Sequence, residues 1–197
     1  MKKLLTATLS LMFVLVAVRT ASAEASPMAI LRDRDKEVRT FLKQNPLPLD
    51  AKKRAHIEDV LSELFDYEYI AMESLGRHSK GIPQAKLKDY IDVFTKVTRR
   101  NASSEESLKT LLEGEINYEG EEVDENGNTI VSTLIIKNDE EIMMEYVFRK
   151  KGKEWQIIDY ILDDVGLIEN YKSSFGQIIT DHGFDDLVRR LREKLDS

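Results

Sequence analysis

The sequence predicts an α+β domain in which helices precede and follow a four-stranded antiparallel sheet. Three observations carry this prediction. Apolar residues recur with a period near 3.6 up to about residue 114, then with a period of 2, then near 3.6 again from Leu167 onward. Turn signals at Asn126-Gly127, Asn138-Asp139 and Lys151-Gly152 divide the alternating region into four short runs, the pattern of a meander. Helical and strand segments are segregated along the chain, which is the order of an α+β domain rather than of a parallel α/β sheet.

Each element has its own local reason. Residues 28–44 place Ile30, Leu31, Val38, Phe41 and Leu42 on one helical stripe, and Pro46 and Pro48 end the run. Asp50 is positioned to cap a second helix with Ile57, Val60, Leu61, Leu64 and Phe65 inward. Phe65-Asp66-Tyr67 then leads to Ser74-Leu75-Gly76, where glycine suits a helix stop. Pro83 fits the first turn of a helix that buries Leu87, Tyr90, Ile91, Phe94 and Val97. Ser103-Ser104-Glu105-Glu106 has capping-box spacing and starts a short helix through Leu108, Leu111 and Leu112. Ile116 and Tyr118 open the alternating region. Asn126-Gly127 predicts a two-residue hairpin turn, and residues 130–136, 142–148 and 155–161 supply the remaining strands. A last helix carries Leu187, Val188, Leu191 and Leu195, with Arg189, Arg190, Arg192 and Lys194 near its C-terminal end.

The stretch from Trp155 to Phe175 organises the rest. It begins as a strand rich in aromatic and β-branched residues and bends at Asp163-Asp164. It then continues as a helix through Leu167, Ile168, Tyr171 and Phe175. Such a corner fixes where a helix lies against a sheet, and an ordinary packed core would show the same periodicity. Residues 142–148 are apolar at both parities, so apolar material is expected over parts of both sheet faces, either ligand or two layers of helix. Met143 and Met144 are the adaptable side chains that suit a variable occupant.

Composition excludes several function classes. Lys2 and Lys3, an apolar run from Leu4 to Val18 and Ala21-Ser22-Ala23 read as a cleavable export signal over residues 1–23. Removing the first 23 of 197 residues leaves 174 for one domain over 24–197 and moves the formal charge from −7 to −10. An acidic body argues against nucleic acid, whose binding requires clustered cations. The absence of cysteine excludes disulfides, thiolate catalysis, Cys-ligated metals and a lipid-modified cysteine anchor. No phosphate-cradling loop or common hydrolase signature occurs, and His56, His78 and His182 share no ligand spacing. Residues 124–128 lack the spacing and terminal glutamate of a calcium loop. The expectation is therefore no enzyme, no catalytic residue, no metal and no cofactor.

An ordered set of short motifs resembles the MlaC, or toluene-tolerance, family of periplasmic phospholipid-binding proteins that serve ABC-type transport. Trp155 with Asp159 is similar to its W-x-x-x-D, and Val165-Gly166-Leu167 to its G-V-S-L. Asn170-Tyr171-Lys172-Ser173-Ser174-Phe175 is similar to its N-Y-R-x-x-F, and Gly183 with Leu187 to its terminal G-x-x-x-L-I. Phe65-Asp66 and Ser74-Leu75-Gly76 match its upstream segments. Lys172 stands where arginine is usual, and Asp164-Val165-Gly166 where the family often has G-V-S. The likeness runs over roughly residues 30–195. It implies a cystatin-like, nuclear-transport-factor-like sheet and a helical subdomain enclosing an apolar pocket for lipid tails. Cargo phospholipid, rather than a cofactor, would fill that pocket. The implied partners are an inner-membrane ABC transporter complex with its membrane-anchored substrate-binding subunit, and an outer-membrane lipoprotein complex.

On that implication the expected lining is Phe65, Tyr69, Ile70, Leu75, Phe94, Val97, Leu134, Ile136, Met144, Tyr146, Ile157, Val165, Leu167, Tyr171 and Phe175. Competing readings are a carrier of another lipid such as a hopanoid, a small cone-shaped enzyme using Asp159 or His78 as base, and a binding module for exported proteins. The enzyme requires a titratable group deep in the pocket. The binding module requires an exposed apolar patch instead of an enclosed space.

Overall fold

The computed structural model describes residues 25–196; the expected export signal and its cleavage point lie outside them. Five α-helices come first: α1 (Pro27–Gln44), α2 (Ala51–Ser62), α3 (Tyr67–Leu75), α4 (Gln84–Ala102) and α5 (Glu105–Glu113). A 3₁₀ turn over Gly76–Ser79 follows α3. The sheet comprises β1 (Glu115–Val123), β2 (Thr129–Lys137), β3 (Glu140–Lys151), β4 (Glu154–Leu162) and β5 (Val165–Gly166), and α6 (Leu167–His182) and α7 (Phe184–Asp196) close the chain.

The caps explain the boundaries. The Ser26 and Asp50 side chains accept from the backbone N–H of Ala29 and Lys53 at the starts of α1 and α2. Gly76 stops α3 at a φ of 52°. Helix α5 is capped one residue later than the spacing predicts: Ser104, not Ser103, accepts from Ser107 N. The Ser103 side chain is buried instead and donates to Glu58 Oε1 at 2.8 Å.

The sheet is an antiparallel meander in sequential order, with five strands rather than four. The extra strand is made by the carboxylate bend. Asp163 and Asp164 both adopt positive φ, 45° and 66°, and this tight turn folds Val165 and Gly166 back onto Leu162 and Ile161. Asn138 and Asp139 make the same kind of turn between β2 and β3. The first hairpin loop is longer than Asn126-Gly127 predicts. It spans residues 124–128, because Asp124 Oδ1 accepts from both Asn126 N and Asn128 N at 2.8 Å and draws the loop around itself.

Two bulges decide which side chains face the helices. One lies between Tyr118 and Gly120 in β1, the other opposite Val147 and Phe148, where β4 carries the extra residue Ile158. The inner face therefore carries Val131, Phe148 and Ile157, then Tyr146 opposite Tyr160, then Met144 opposite Leu162. Helix α1 covers the first group. Leu31 and Leu64 pack with Val131, Phe148 and Ile157, all three fully buried. Helices α1, α2 and α5 share a small core of their own around Val38, Leu42, Ile57 and Leu108, while α3, α4, α6 and α7 form the helical core in which Ile70, Leu75, Tyr90, Phe94, Val97, Phe175, Leu187, Val188 and Leu191 interlock. Its centre is aromatic: the Phe94 and Tyr171 rings meet edge-on at 5.3 Å, and Tyr171 stacks on Phe175 at 4.8 Å. Residues 64–66 join the core between α1 and the sheet to the helical core by bonding along the edge of β4, Ile157 N donating to Leu64 O and Asp66 N to Ile157 O.

Candidate lipid-binding cleft

The inner sheet face is sealed at one end and open at the other. From the buried floor at Phe148 and Ile157, exposure rises through half-buried Tyr146 and Tyr160 to Leu162 at 39% and Val165 at 54%. Ile135 and Ile142, paired on the same face, are also only half-buried. Apolar side chains that point toward a helical layer yet stay partly solvated mark this end of the face as the candidate cleft. The helical layer contributes Tyr67 and Tyr171, whose phenols neighbour Tyr160, and α1 contributes Asp35, near Tyr118 and Tyr146.

The cleft is lined with phenols held neutral. Burial raises the Tyr118 hydroxyl to about 12, with Asp35 adding to the effect. Burial likewise raises Tyr146, Tyr160 and Tyr171, and neighbouring phenols reinforce the shift at the first two. All remain donors throughout the physiological range.

The corner beside this cleft is fixed by two carboxylates. Asp159 Oδ1 accepts from Ile168 N at 3.1 Å and from Tyr160 N at 2.9 Å, anchoring the start of α6 to β4. Burial pushes its carboxyl upward, against the lowering effect of those N–H groups and of Lys172. A Cβ on Gly166 would lie 3.3 Å from Asp159 Oδ2, so glycine permits the close approach. Asp66 is buried and accepts from Lys151 at 3.0 Å, Arg149 at 3.1 Å and Tyr69 N at 3.2 Å. Burial alone would raise it, but Lys151, the Tyr69 N–H and Arg149 outweigh burial and hold it below the usual carboxylate value. The Arg149 guanidinium also lies 4.0 Å from the centre of the Tyr69 ring.

The expected lining residues divide into groups. Ile70, Leu75, Phe94, Val97 and Phe175 sit in the helical core, with Tyr69, Leu167 and Tyr171 packed against it. Ile157 lies in the core under α1 with Tyr146 at its margin, and Phe65 touches both cores. Met144 and Tyr146 face the cleft, and Val165 stands at its exposed rim. Leu134 and Ile136 do not belong with them. Thr133, not Leu134, is paired with Met144, so Leu134 and Ile136 point to the outer face, beside Met143 and Glu141. Met143 is 44% exposed there, so this stretch of the outer face is uncovered, although Arg149 and Lys151 farther along it meet Asp66 and Tyr69 at the start of α3.

Sequence reasoning missed Tyr160 and Leu162. Counting by twos from Ile157 puts residues 159 and 161 on the inner face, and the bulge at Ile158 reverses that parity. Tyr67, Tyr118 and Ile135 were missed as well. The signal available for Tyr118 was its position opposite Thr133, which requires knowing the register.

A separate groove of about 820 Å³ runs between the 3₁₀ turn and the solvent side of α6. It is lined by His78, Arg77, Lys172, Ser173, Gly176 and Thr180 among others, and of the expected lining residues it contains only Leu75. The enzyme reading loses its two bases to this geometry. Asp159 is occupied by backbone donors at the helix start, and His78 lies in the polar groove against Gly176 rather than in the cleft. Among the described residues no cluster of potential metal ligands occurs, and no helix is long and apolar enough to cross a membrane.

Comparison with known proteins follows the same direction. A solved structure of a phospholipid-binding protein from Ralstonia solanacearum, in complex with a phospholipid, is similar with a TM-score of 0.74 at 19% identity. The match covers 86% of this chain and 97% of that one. No curated protein matches in sequence. The family model described as MlaC protein matches residues 32–193, most of the chain. The chain belongs to the MlaC family.

Proposed function

We propose that this protein is a periplasmic carrier that holds a phospholipid by its tails in the cleft between the inner sheet face and the helices. It ferries that lipid between an outer-membrane lipoprotein complex and an inner-membrane ABC transporter complex with its membrane-anchored binding subunit. The observation that carries the reading is the unsealed end of the inner face, where Met144, Tyr146, Tyr160, Leu162, Ile135 and Ile142 stay partly solvated or exposed while Val131, Phe148 and Ile157 on the same face are fully buried. Family membership and the phospholipid held by the Ralstonia protein support the choice of cargo.

The energetics suit a carrier. Each methylene moved from water into the cleft contributes about 0.8 kcal/mol, so acyl tails hold without a charged clamp. Release needs the two cores to part. The Asp159 anchor, the bond pair at residues 64–66 and the Asp66 ion pairs are among the links between them, and are the polar contacts a hinge would work against.

The test is native mass spectrometry of the protein purified from a periplasm, with lipid extraction on the same sample. Discrete added masses equal to phospholipids, lost on unfolding, are the expected result. A bare polypeptide mass that persists after incubation with phospholipid vesicles would end the carrier reading.

A further inference from the structure

Tyr146 and Tyr160 stand opposite each other on β3 and β4, one row below the Met144–Leu162 pair at the rim and one above the sealed floor at Phe148. Among the described residues Tyr90, deep in the helical core, donates to Ala71 O at 3.0 Å. The Tyr146 and Tyr160 hydroxyls make no hydrogen bond with the protein, and neither oxygen is fully enclosed. Both hydroxyls therefore keep a free donor on the inner sheet face, open to water or to an acceptor of a ligand.

A hydrocarbon entering this space would displace that water and strand two donors, and an unmet buried hydrogen-bonding group is costly. A ligand with oxygen acceptors at the same depth would replace the water's bonds. We infer that Tyr146 and Tyr160 are the polar selectors of the cleft, donating hydrogen bonds to the acceptor oxygens at the glycerol end of a bound phospholipid. This inference rests on the carrier reading and adds the two side chains that would recognise the oxygen-rich end of the cargo. The acceptors are the ester carbonyls or the phosphate oxygens, which offer the same lone-pair chemistry at neighbouring depths.

The depth of the pair supports the assignment. Two residues along a strand span about 6.6 Å, so the phenols lie about that far below the Met144–Leu162 rim. A charged head group at the rim would then sit beside Asp163 and Asp164, in water, with its linkage oxygens at the level of the tyrosines. The neutrality of both phenols is what makes them donors toward anionic or carbonyl oxygen rather than repelling it.

The experiment compares the wild type with Tyr146→Phe, Tyr160→Phe and the double variant, changes that delete only the hydroxyls. Uptake is measured from vesicles of dioleoylphosphatidylglycerol and of its diether analogue, and the hydrocarbon diphenylhexatriene serves as a probe without oxygen. Each single variant is expected to bind the diester lipid about threefold to tenfold more weakly, with hydrocarbon binding unchanged. If carbonyls are the acceptors, the diether lipid binds the wild type as weakly as the variants bind the diester. If phosphate is the acceptor, the wild type does not distinguish the two lipids and both fall together in the variants. Diester binding unchanged in the double variant would overturn the inference while leaving the carrier intact. Equal losses for lipid and hydrocarbon would also overturn it, by showing that the hydroxyls shape the cleft. A wild type that takes up no phospholipid would remove both this inference and the carrier reading.

Discussion

Replacing Asp159 tests how α6 is set against the sheet. In Asp159→Ala the N–H groups of Ile168 and Tyr160 lose their shared acceptor, at 3.1 and 2.9 Å, and the start of α6 loses its only side-chain link to β4 described here. Loss of a helix-capping side chain costs about 1 kcal/mol and loss of a second bond to a charged acceptor a similar amount, so about 2 kcal/mol is expected. For a domain of this size that lowers Tm by about 4–8 °C. Asp159→Asn keeps a carbonyl oxygen for the same two donors and removes the charge. The Asp159 carboxyl is raised because burial disfavours its charged form. The folded state then binds the proton more tightly than the unfolded state, so Asp159 lowers stability as pH rises from the ordinary carboxylate value through its raised one. Asparagine, always neutral, escapes that loss. The stability difference between Asp159→Asn and wild type should therefore move in favour of asparagine as pH increases across that window. Thermal unfolding followed by circular dichroism from pH 3 to pH 8 measures both effects. An alanine variant as stable as the asparagine variant, or a difference that moves in favour of aspartate with rising pH, would refute the reasoning.

Other perturbations separate the two sheet faces and the two cores. Met144→Trp should lower phospholipid content by filling the cleft, while Leu134→Trp on the outer face should leave it unchanged; extraction and lipid quantification of both variants decide this. Phe175→Ala removes the ring that Tyr90, Phe94 and Tyr171 enclose and should cost about 3–5 kcal/mol, measured by urea unfolding. Asp66 has the opposite sign to Asp159. Its carboxyl is held low, so its contribution to stability is present above the ordinary carboxylate value and lost as pH falls through the depressed one. Asp66→Asn should therefore destabilise at pH 7 and converge on wild type in strong acid, again followed by thermal unfolding.

Helices and turns were legible from residue types because their causes are local. Asp50, Gly76 and Pro83 each act within a turn of themselves, and the helix boundaries they predict fall within a residue or two of those found. The fifth strand was hidden because it needs aspartates at positive φ, a state more readily expected of glycine or asparagine. The faces of the sheet were hidden for a different reason. β2 and β3 are apolar at both parities, so composition cannot choose a register, and two bulges shift the parity inside β1 and β4. Tyr160 and Leu162 were lost to the β4 bulge, and Leu134 and Ile136 were taken for inward residues because β2 is apolar at both parities. The family motifs found the corner at Asp159 and Gly166, which the structure shows to be a hydrogen-bonded joint between β4 and α6.

The helical core is assembled from two separated parts of the chain. Residues of α3 and α4 complete their packing only against α6 and α7, after the whole sheet has intervened. During synthesis, Tyr90 and Phe94 therefore wait for Phe175 and Leu187, and at ordinary ribosomal rates that wait is on the order of ten seconds. A nascent chain in that interval can pack α3 against α4, but the apolar faces that await α6 and α7 stay open. Those open faces stay exposed to any factor that grips apolar segments. The order in which the core is written into the chain thus postpones folding until nearly all of it has been made.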